Sequence, residues 1–172
     1  MAIVNHSTIN DPHTTDIRNA IEHRATWFQL VLDEAEKAGV DWEEVGRKAI
    51  TRCGVFHGNV KFTPTSDLKQ FGKEFANELV KKVFEMDVQE CTDDKFVVEF
   101  HYCPLVAAWL KQTDDEEKVS KLCDIAMDGD RGIISVFPDF EFDLQSTIAA
   151  GDKVCRIVIT KTNKCCEKGC QA

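Results

Sequence analysis

The sequence has no apolar run that approaches the ~20 residues needed to cross a bilayer. It begins MAIVNHSTINDPHTTD, which lacks the basic and apolar regions of a signal peptide. It also lacks any basic stripe interleaved with aromatic residues, and its net charge is −9. These absences predict a cytoplasmic protein that binds neither a membrane nor nucleic acid.

Internal repeats, low-complexity tracts and linkers are missing as well. A chain of 172 residues is long enough for one domain with its own hydrophobic core. We therefore predict a single domain over residues 14–161, preceded by a flexible polar arm over residues 1–13. A flexible tail is predicted over residues 162–172, which contain Cys165, Cys166 and Cys170.

The first half of the chain has apolar residues at helical spacing. This spacing predicts a first helix over 15–38, a second helix that Asp41 caps and Gly54 ends, and a third helix over 66–85. The buried stripe of the second helix is predicted to consist of Trp42, Val45, Ala49, Ile50 and Cys53.

The second half changes to the alternation typical of strands. Strands are predicted over 88–91, 95–102, 133–137, 140–144 and 154–160. A helix that opens at Pro104 and another that ends near residue 127 lie between them, followed by a turn, DGDRG, at 128–132. The predicted fold class is α+β, with N-terminal helices packed on a mainly antiparallel sheet and a helical excursion between strands.

Cys103 stands between a predicted strand and Pro104, at the position that caps a helix. Helix N-termini favour anions, so we expect the Cys103 thiol to be more acidic and more reactive than a free one. His101 lies two residues earlier on the same strand and is expected on the same face. A buried, unreactive thiol at Cys103 is the alternative interpretation.

Eight cysteines is a high number for this length, and a reducing cytosol favours thiols or ligands over disulfides. Cys123 and Cys155 lie in periodic segments, where they either pack in the core or line a site. Together with Cys103 and His101 they would offer zinc three thiolates and an imidazole. No CxxC or HxxxH pair supports such a site, so we expect no cofactor and keep zinc as the alternative.

Between residues 95 and 160 the chain contains, in order, HYCP at 101–104, LCDIAMDGD at 122–130, FP at 137–138 and STIAAGDKVCRIVI at 146–159. This order resembles the L-2-amino-thiazoline-4-carboxylic acid hydrolase family. The resemblance implies that water or a thiolate adds to the C=N carbon of a small cyclic amidine, after which the ring sulfur leaves. The positions that it marks are Cys103, Cys123, Asp130, Gly151, Asp152 and Cys155.

The resemblance and the residue chemistry together lead to a set of predicted roles. Cys103 is the predicted nucleophile or water-activating thiolate, His101 the proton shuttle, and Asp130 the group that orients a base or the water. The small-molecule substrate is expected to contact Cys123, Cys155, Arg131 and Tyr102. Structural roles are the alternative for Asp130 in its turn and for Gly151 and Asp152 before the last strand.

Two other functions stay open. The segment GDKVC at 151–155 also resembles a closing motif of vinyl-reductase-type small-molecule-binding domains, which implies a non-catalytic binding module. An isomerase or lyase on the same scaffold is the other alternative, because one fold can host unrelated chemistries. The sequence does not indicate the true substrate or the oligomeric state.

Overall fold

The computed structural model describes residues 2–162. Its elements are, in order, α1 (Pro12–Lys37), α2 (Trp42–Lys61), α3 (Leu68–Phe75), α4 (Glu78–Phe84), β1 (Met86–Cys91), β2 (Lys95–Phe100), α5 (Pro104–Trp109), α6 (Glu116–Ile134), β3 (Phe140–Ser146), a 3-10 turn (Ile148–Ala150) and β4 (Cys155–Lys161).

The strands within residues 2–162 form one sheet in the order β1-β2-β4-β3. Every neighbouring pair is antiparallel. Four helices precede the sheet, and α5 and α6 are inserted between β2 and β3. The predicted α+β class, with a helical excursion between strands, is therefore confirmed.

Helices α1 and α2 form an antiparallel hairpin joined by residues 38–41. The Asp41 carboxylate accepts the N–H of Glu44 at 3.0 Å, which confirms the predicted cap of the second helix. Helix α1 begins at Pro12, where Asp11 accepts the N–H of Thr14 in the same way. Each helix of the hairpin thus begins at an aspartate that caps it.

The single helix predicted over 66–85 is wrong, because the structure has two helices there. Ala76 leaves the helical conformation, and the Asn77 side chain accepts the N–H of Val80 at 3.1 Å to begin α4. Helix α4 ends at Glu85, a residue in the left-handed region with φ 49°. The Asn77 cap therefore starts a new helix at a point where the apolar periodicity alone predicts that one helix continues.

Helices α2 and α6 pack backbone against backbone through glycines. A methyl group at Gly54 would lie 2.1 Å from the Gly129 carbonyl oxygen, and one at Gly132 would lie 2.5 Å from the Thr51 carbonyl oxygen. Gly54 is therefore needed for this close approach, and the prediction that it ends the second helix is wrong. Helix α2 continues to Lys61.

The turn predicted at 128–132 and the strand predicted at 133–137 are also wrong, since α6 runs through to Ile134. In the helix, Asp128 and Arg131 are three positions apart and their side chains pair at 2.6 Å. Arg47 on α2 reaches Asp128 at 3.2 Å and Asp124 at 2.6 Å. These ion pairs and the glycine contact offset the helix penalty of two glycines, about 1 kcal/mol each.

The predicted buried face of α2 is correct for Trp42 and Ile50, which are half-buried against the core and α6, and wrong for the rest of the stripe. Its buried residues are Gly46, Gly54 and Gly58, whereas Val45 and Cys53 of the predicted stripe are exposed. The glycines bury backbone rather than side chains, so the hydrophobicity pattern identified the opposite side as the core. This outward apolar stripe has a consequence for assembly, described below.

The interior consists of two apolar clusters. One lies between the sheet and α3, where its aromatic rings are Phe71, Phe75, Phe96, Phe137 and Phe140. The other surrounds Trp109 between α1, α5 and α6, and it contains the three buried cysteines. Within residues 2–162, no helix combines the length and apolarity required to cross a membrane.

Candidate active site

Cys103 caps α5 as predicted, and it lies almost completely inside the protein. Its backbone is extended, Pro104 follows at the first helical position, and only 8% of the residue is exposed. The side chain of Asn5 pairs with this backbone twice: its Nδ2 donates to the Cys103 carbonyl at 2.8 Å, and its Oδ1 accepts the Cys103 N–H at 2.9 Å. The backbone that carries the thiol is thus held on both sides of the Cys103 Cα.

Three buried thiols share this part of the core. Cys103 from α5, Cys123 from α6 and Cys155 from the start of β4 belong to one apolar cluster. The Cys155 sulfur accepts the N–H of Ile148 at 3.2 Å. Ionised thiols this close would repel one another, so Cys103 and Cys155 help to raise the pKa of Cys123, and Cys103 helps to raise the pKa of Cys155. The sequence prediction that brought these three residues to one place therefore matches their observed grouping.

Burial keeps these thiols protonated. It raises the pKa of Cys103 to about 11, although the N–H groups of Val106 and Leu105 at the start of α5 act in the opposite direction. Burial also raises the pKa of Cys155 to about 12 and that of Cys123 well above its usual value. The expectation of an acidic Cys103 is corrected here, because the cost of burying a thiolate exceeds the effect of the helix N-terminus.

Asp130 lies next to the three thiols and is the most unusual ionisable group of the site. It is on α6 and half-buried, and no other described residue forms a hydrogen bond or ion pair with its carboxylate. Burial raises its pKa to about 6, while the neighbouring Arg131 opposes that rise. A carboxyl group with a pKa near neutrality can accept and return a proton at physiological pH.

The chain's family can be decided once these positions are known. The model of the L-2-amino-thiazoline-4-carboxylic acid hydrolase family matches residues 18–159, which include the three buried cysteines and Asp130. The chain belongs to this family. No curated protein and no solved structure matches the chain. Membership in a hydrolase family supports a hydrolase-like function.

Among the family positions, Asp152 and Gly151 shape the turn before β4. The Asp152 carboxylate accepts the N–H of Thr147 at 3.1 Å, and the Asp152 N–H donates back to the Thr147 carbonyl at 3.2 Å. Gly151 has φ 90°, a conformation that a side chain would strain. The turn places the N–H of Ile148 over the Cys155 sulfur, so it positions one of the three buried thiols.

His101 does not face Cys103. Strand β2 ends at Phe100, so the alternation that placed the two residues on one face no longer applies. The His101 side chain is 42% exposed and lies 3.2 Å from Asp87. It borders an open surface groove of about 460 Å³ that is also lined by Lys81, Lys82 and Glu85 and contains neither Cys103 nor Asp130.

Arg131 and Tyr102, which we expected to contact the substrate, already have partners, and so does the nearby Arg156. Arg131 pairs with Asp128 at 2.6 Å and with Asp124 at 3.0 Å. Arg156 on β4 pairs with Glu99 across the sheet. Tyr102 is buried with its ring 4.4 Å from the Arg18 guanidinium carbon. Each of these side chains contributes to packing or ion pairing in the described structure.

Sequence reasoning missed the buried pair formed by Arg18 and Glu85. Arg18 donates to the carbonyl oxygens of Ile9, Lys82 and Val83 and to the Glu85 carboxylate. Glu85 also accepts the N–H groups of Thr8 and Ile9. This pair ties down the segment predicted as a loose arm and thereby holds Asn5 against Cys103. The only sequence signal was an arginine within the apolar stripe of α1.

The described residues do not assemble a metal centre. Among residues 2–162, no group of three His, Cys, Asp or Glu side chains is close enough to hold a metal ion. His101, the imidazole of the alternative zinc set, is exposed beside Asp87 rather than grouped with the three thiols. The tail cysteines Cys165, Cys166 and Cys170 lie outside the described residues.

The burial of the thiols leads to a testable expectation. When the folded protein is treated with iodoacetamide at pH 8, the exposed Cys53 and Cys91 should be alkylated first. Cys103, Cys123 and Cys155 should react much more slowly, because burial keeps them protonated and leaves at most 8% of each residue exposed. Timed quenching with peptide mass spectrometry measures each site. Alkylation of Cys103 as fast as that of Cys53 would contradict this assignment and support a reactive thiolate.

Proposed function

We propose that this protein is a hydrolase that opens a small cyclic amidine or thiazoline ring, such as an aminothiazoline carboxylate. Membership in the hydrolase family supports the reaction class. The observation that carries the proposal is the Asp130 carboxyl group, which has no partner among the described residues and a pKa of about 6 beside three protonated thiols. Such a group is suited to move the protons that ring hydrolysis requires.

In the proposed mechanism, Asp130 is the general base and then the general acid. Its carboxylate accepts one proton from water while the water oxygen bonds to the C=N carbon and the π electron pair moves to the ring nitrogen, from which it re-forms the double bond when the sulfur leaves. The tetrahedral intermediate then breaks its bond between that carbon and the ring sulfur, and Asp130 returns the proton to the sulfur. The remaining hydroxyl proton moves to the ring nitrogen, which gives a carbamoyl product with a free thiol.

We assign Cys103 to contact with the reacting ring rather than to nucleophilic attack. Attack by its sulfur would replace one carbon–sulfur bond with another at the same carbon, and the hydrolysis would still remain to be done. Its pKa of about 11 also leaves the sulfur protonated at neutral pH. The S–H group can instead donate a weak hydrogen bond to the leaving sulfur.

A cation for the substrate carboxylate is proposed on α1. Arg24 lies near enough to Cys103 to lower the pKa of that thiol, although burial dominates the net shift. Within residues 2–162 Arg24 forms no ion pair or hydrogen bond, unlike Arg131 and Arg156. An unpaired guanidinium can bind a carboxylate through two parallel hydrogen bonds. His101 has no step in this mechanism.

Turnover of 2-amino-thiazoline-4-carboxylate should depend on pH in a specific way. Because the base must be ionised, kcat/KM should rise as pH increases through about 6 and then stay level to about pH 9. Release of free thiol from the opened ring gives a continuous colorimetric readout. Related cyclic amidines tested in parallel define the substrate class.

The assay also distinguishes water attack from attack by sulfur. Cys103→Ser should keep measurable turnover, since a hydroxyl can still donate to the leaving group. A covalent adduct on Cys103, trapped by acid quench and seen by mass spectrometry, would contradict direct water attack. A level pH profile between 5 and 8 would remove Asp130 from the role of base.

A non-catalytic binding module is the second candidate, and one observation favours it. All three thiols at the site are buried and protonated, as they would be in a packed binding pocket. Calorimetry that detects binding of the cyclic amidine, without product by mass spectrometry after prolonged incubation, would support the module over the enzyme.

A further inference from the structure

A stripe of apolar side chains runs along the outside of α2. Val45, Phe56 and Val60 are 42%, 61% and 59% exposed, and Ala49 and Cys53 between them are exposed as well. Their spacing of four, four, three and four residues places them on one side of the helix. The glycine side of α2 is buried against α6, so the stripe is left without a partner.

Two residues of α1 extend this surface. A methyl group built on Gly46 would lie 3.3 Å from Leu32, and Arg24 acts electrostatically on His57, so we align the antiparallel helices with Leu32 beside Gly46 and Arg24 in the region of His57. In that alignment Trp27 is level with Cys53, and Val31 is level with Ala49. Trp27 is 67% exposed and Val31 is 49% exposed. We call these seven side chains the hairpin surface.

The size of the hairpin surface is that of an interface. Its side chains expose on the order of 600 Å² of apolar area, the upper end for the largest patch on a monomer. A standard protein interface buries about 800 Å² on each partner, and polar residues around the rim supply the remainder.

We propose that the hairpin surface pairs with the same surface of a second copy of this chain, with the two α2 helices antiparallel around a two-fold axis near Cys53. The order of side chains in the stripe is nearly symmetric about that point. Val45 would meet Val60 of the second copy, and the small Ala49 would meet the large Phe56. Two helical hairpins joined in this way form a four-helix bundle.

Charge at the ends of the stripe favours this antiparallel arrangement. Glu44, which pairs with Lys48 on its own helix, precedes the stripe and Lys61 follows it, so each would approach the opposite charge of the second copy. Lys61 has no ion-pair partner within residues 2–162. The net charge of −9 opposes binding of the same surface to an anionic lipid membrane. A second copy is therefore the occupant that the charges support.

Analytical ultracentrifugation of the full chain under reducing conditions tests the proposal. The wild-type protein should sediment as a dimer, and Phe56→Glu and Trp27→Glu should sediment as folded monomers with unchanged circular dichroism. Leu79→Glu is the matched control, because Leu79 is 44% exposed on α4 and outside the hairpin surface; it should remain dimeric. A monomeric wild-type protein, or a Phe56→Glu dimer, overturns the proposal.

Cross-linking tests the position of the axis. In a full-length variant that combines Cys91→Ser, Cys165→Ser, Cys166→Ser and Cys170→Ser, Cys53 is the one exposed cysteine left within residues 2–162. A short bismaleimide should link two chains through it, and adding Cys53→Ser should abolish the product. A dimer that gives no cross-link through Cys53 overturns the antiparallel pairing. Dissociation of the dimer by Leu79→Glu would likewise place the interface elsewhere.

Discussion

Asp130→Asn is expected to reduce turnover by about 10²–10⁴-fold while making the fold more stable at pH 7. The activity is lost because an amide cannot accept the proton. The stability is gained because the carboxylate is partly buried without a partner among the described residues. The variant's kcat/KM and its thermal unfolding in parallel measure both effects.

The pH dependence of this stability gain follows from the direction of the pKa shift. The folded-state pKa of about 6 lies above the ordinary value of 3.8, so the folded protein binds the Asp130 proton more tightly than the unfolded chain does. Stability from this group is complete below pH 3.8 and is lost as pH rises through about 6. Removing the charge should recover on the order of 2 kcal/mol at pH 7 and much less at pH 4.

Asp128→Asn provides the matched control two residues away. Asp128 is buried and accepts from both Arg47 and Arg131, so its loss should destabilise the protein. The two substitutions should therefore shift the melting temperature in opposite directions. If Asp130→Asn destabilises the protein as Asp128→Asn does, the Asp130 carboxylate has a stabilising partner. If Asp130→Asn keeps full turnover, the proposed base is wrong.

Gly54→Ala is expected to destabilise the protein by about 2–3 kcal/mol, although alanine is the better helix former. The added methyl group would lie 2.1 Å from the Gly129 carbonyl oxygen and 2.9 Å from the Gly132 Cα. These are backbone atoms of α6, so the two helices must move apart. Thermal unfolding should show a fall in melting temperature of roughly 5–10 °C.

Gly129→Ala is the control for this contact. A methyl group at Gly129 would meet Ile50 at an ordinary 3.5 Å, so the gain in helix propensity should make this change neutral or stabilising by up to about 1 kcal/mol. Equal gains in the two variants would show that helix propensity, rather than the approach of α2 to α6, determines the effect.

Moving α2 and α6 apart should also displace the residues of the candidate site. Cys123 and Asp130 are both on α6, whose position is set by its contact with α2. The Asp124 and Asp128 ion pairs to Arg47 link the same two helices. The glycine contact is therefore part of what positions the proposed base relative to Cys103.

The cap at Asp41, the hairpin turn between β1 and β2, and the cap position of Cys103 could all be predicted because they depend on neighbours within a few residues. The grouping of Cys103, Cys123 and Cys155 with Asp130 came from the family resemblance instead. The positions of His101 and Asp130 on their elements were wrong. The strand ended one residue before His101, and the helix continued past the glycines around Asp130.

The sequence by itself determined the fold class and most element starts, since capping side chains and apolar periodicity act locally. Only the tertiary structure decided which face of α2 is buried, because two glycines offer backbone contact that no hydrophobicity pattern records. Only the tertiary structure decided the protonation of the site, since burial by distant segments outweighs the local effect of a helix N-terminus on Cys103. Asn5 reaches that residue from 98 positions away, a distance at which neighbouring sequence carries no signal.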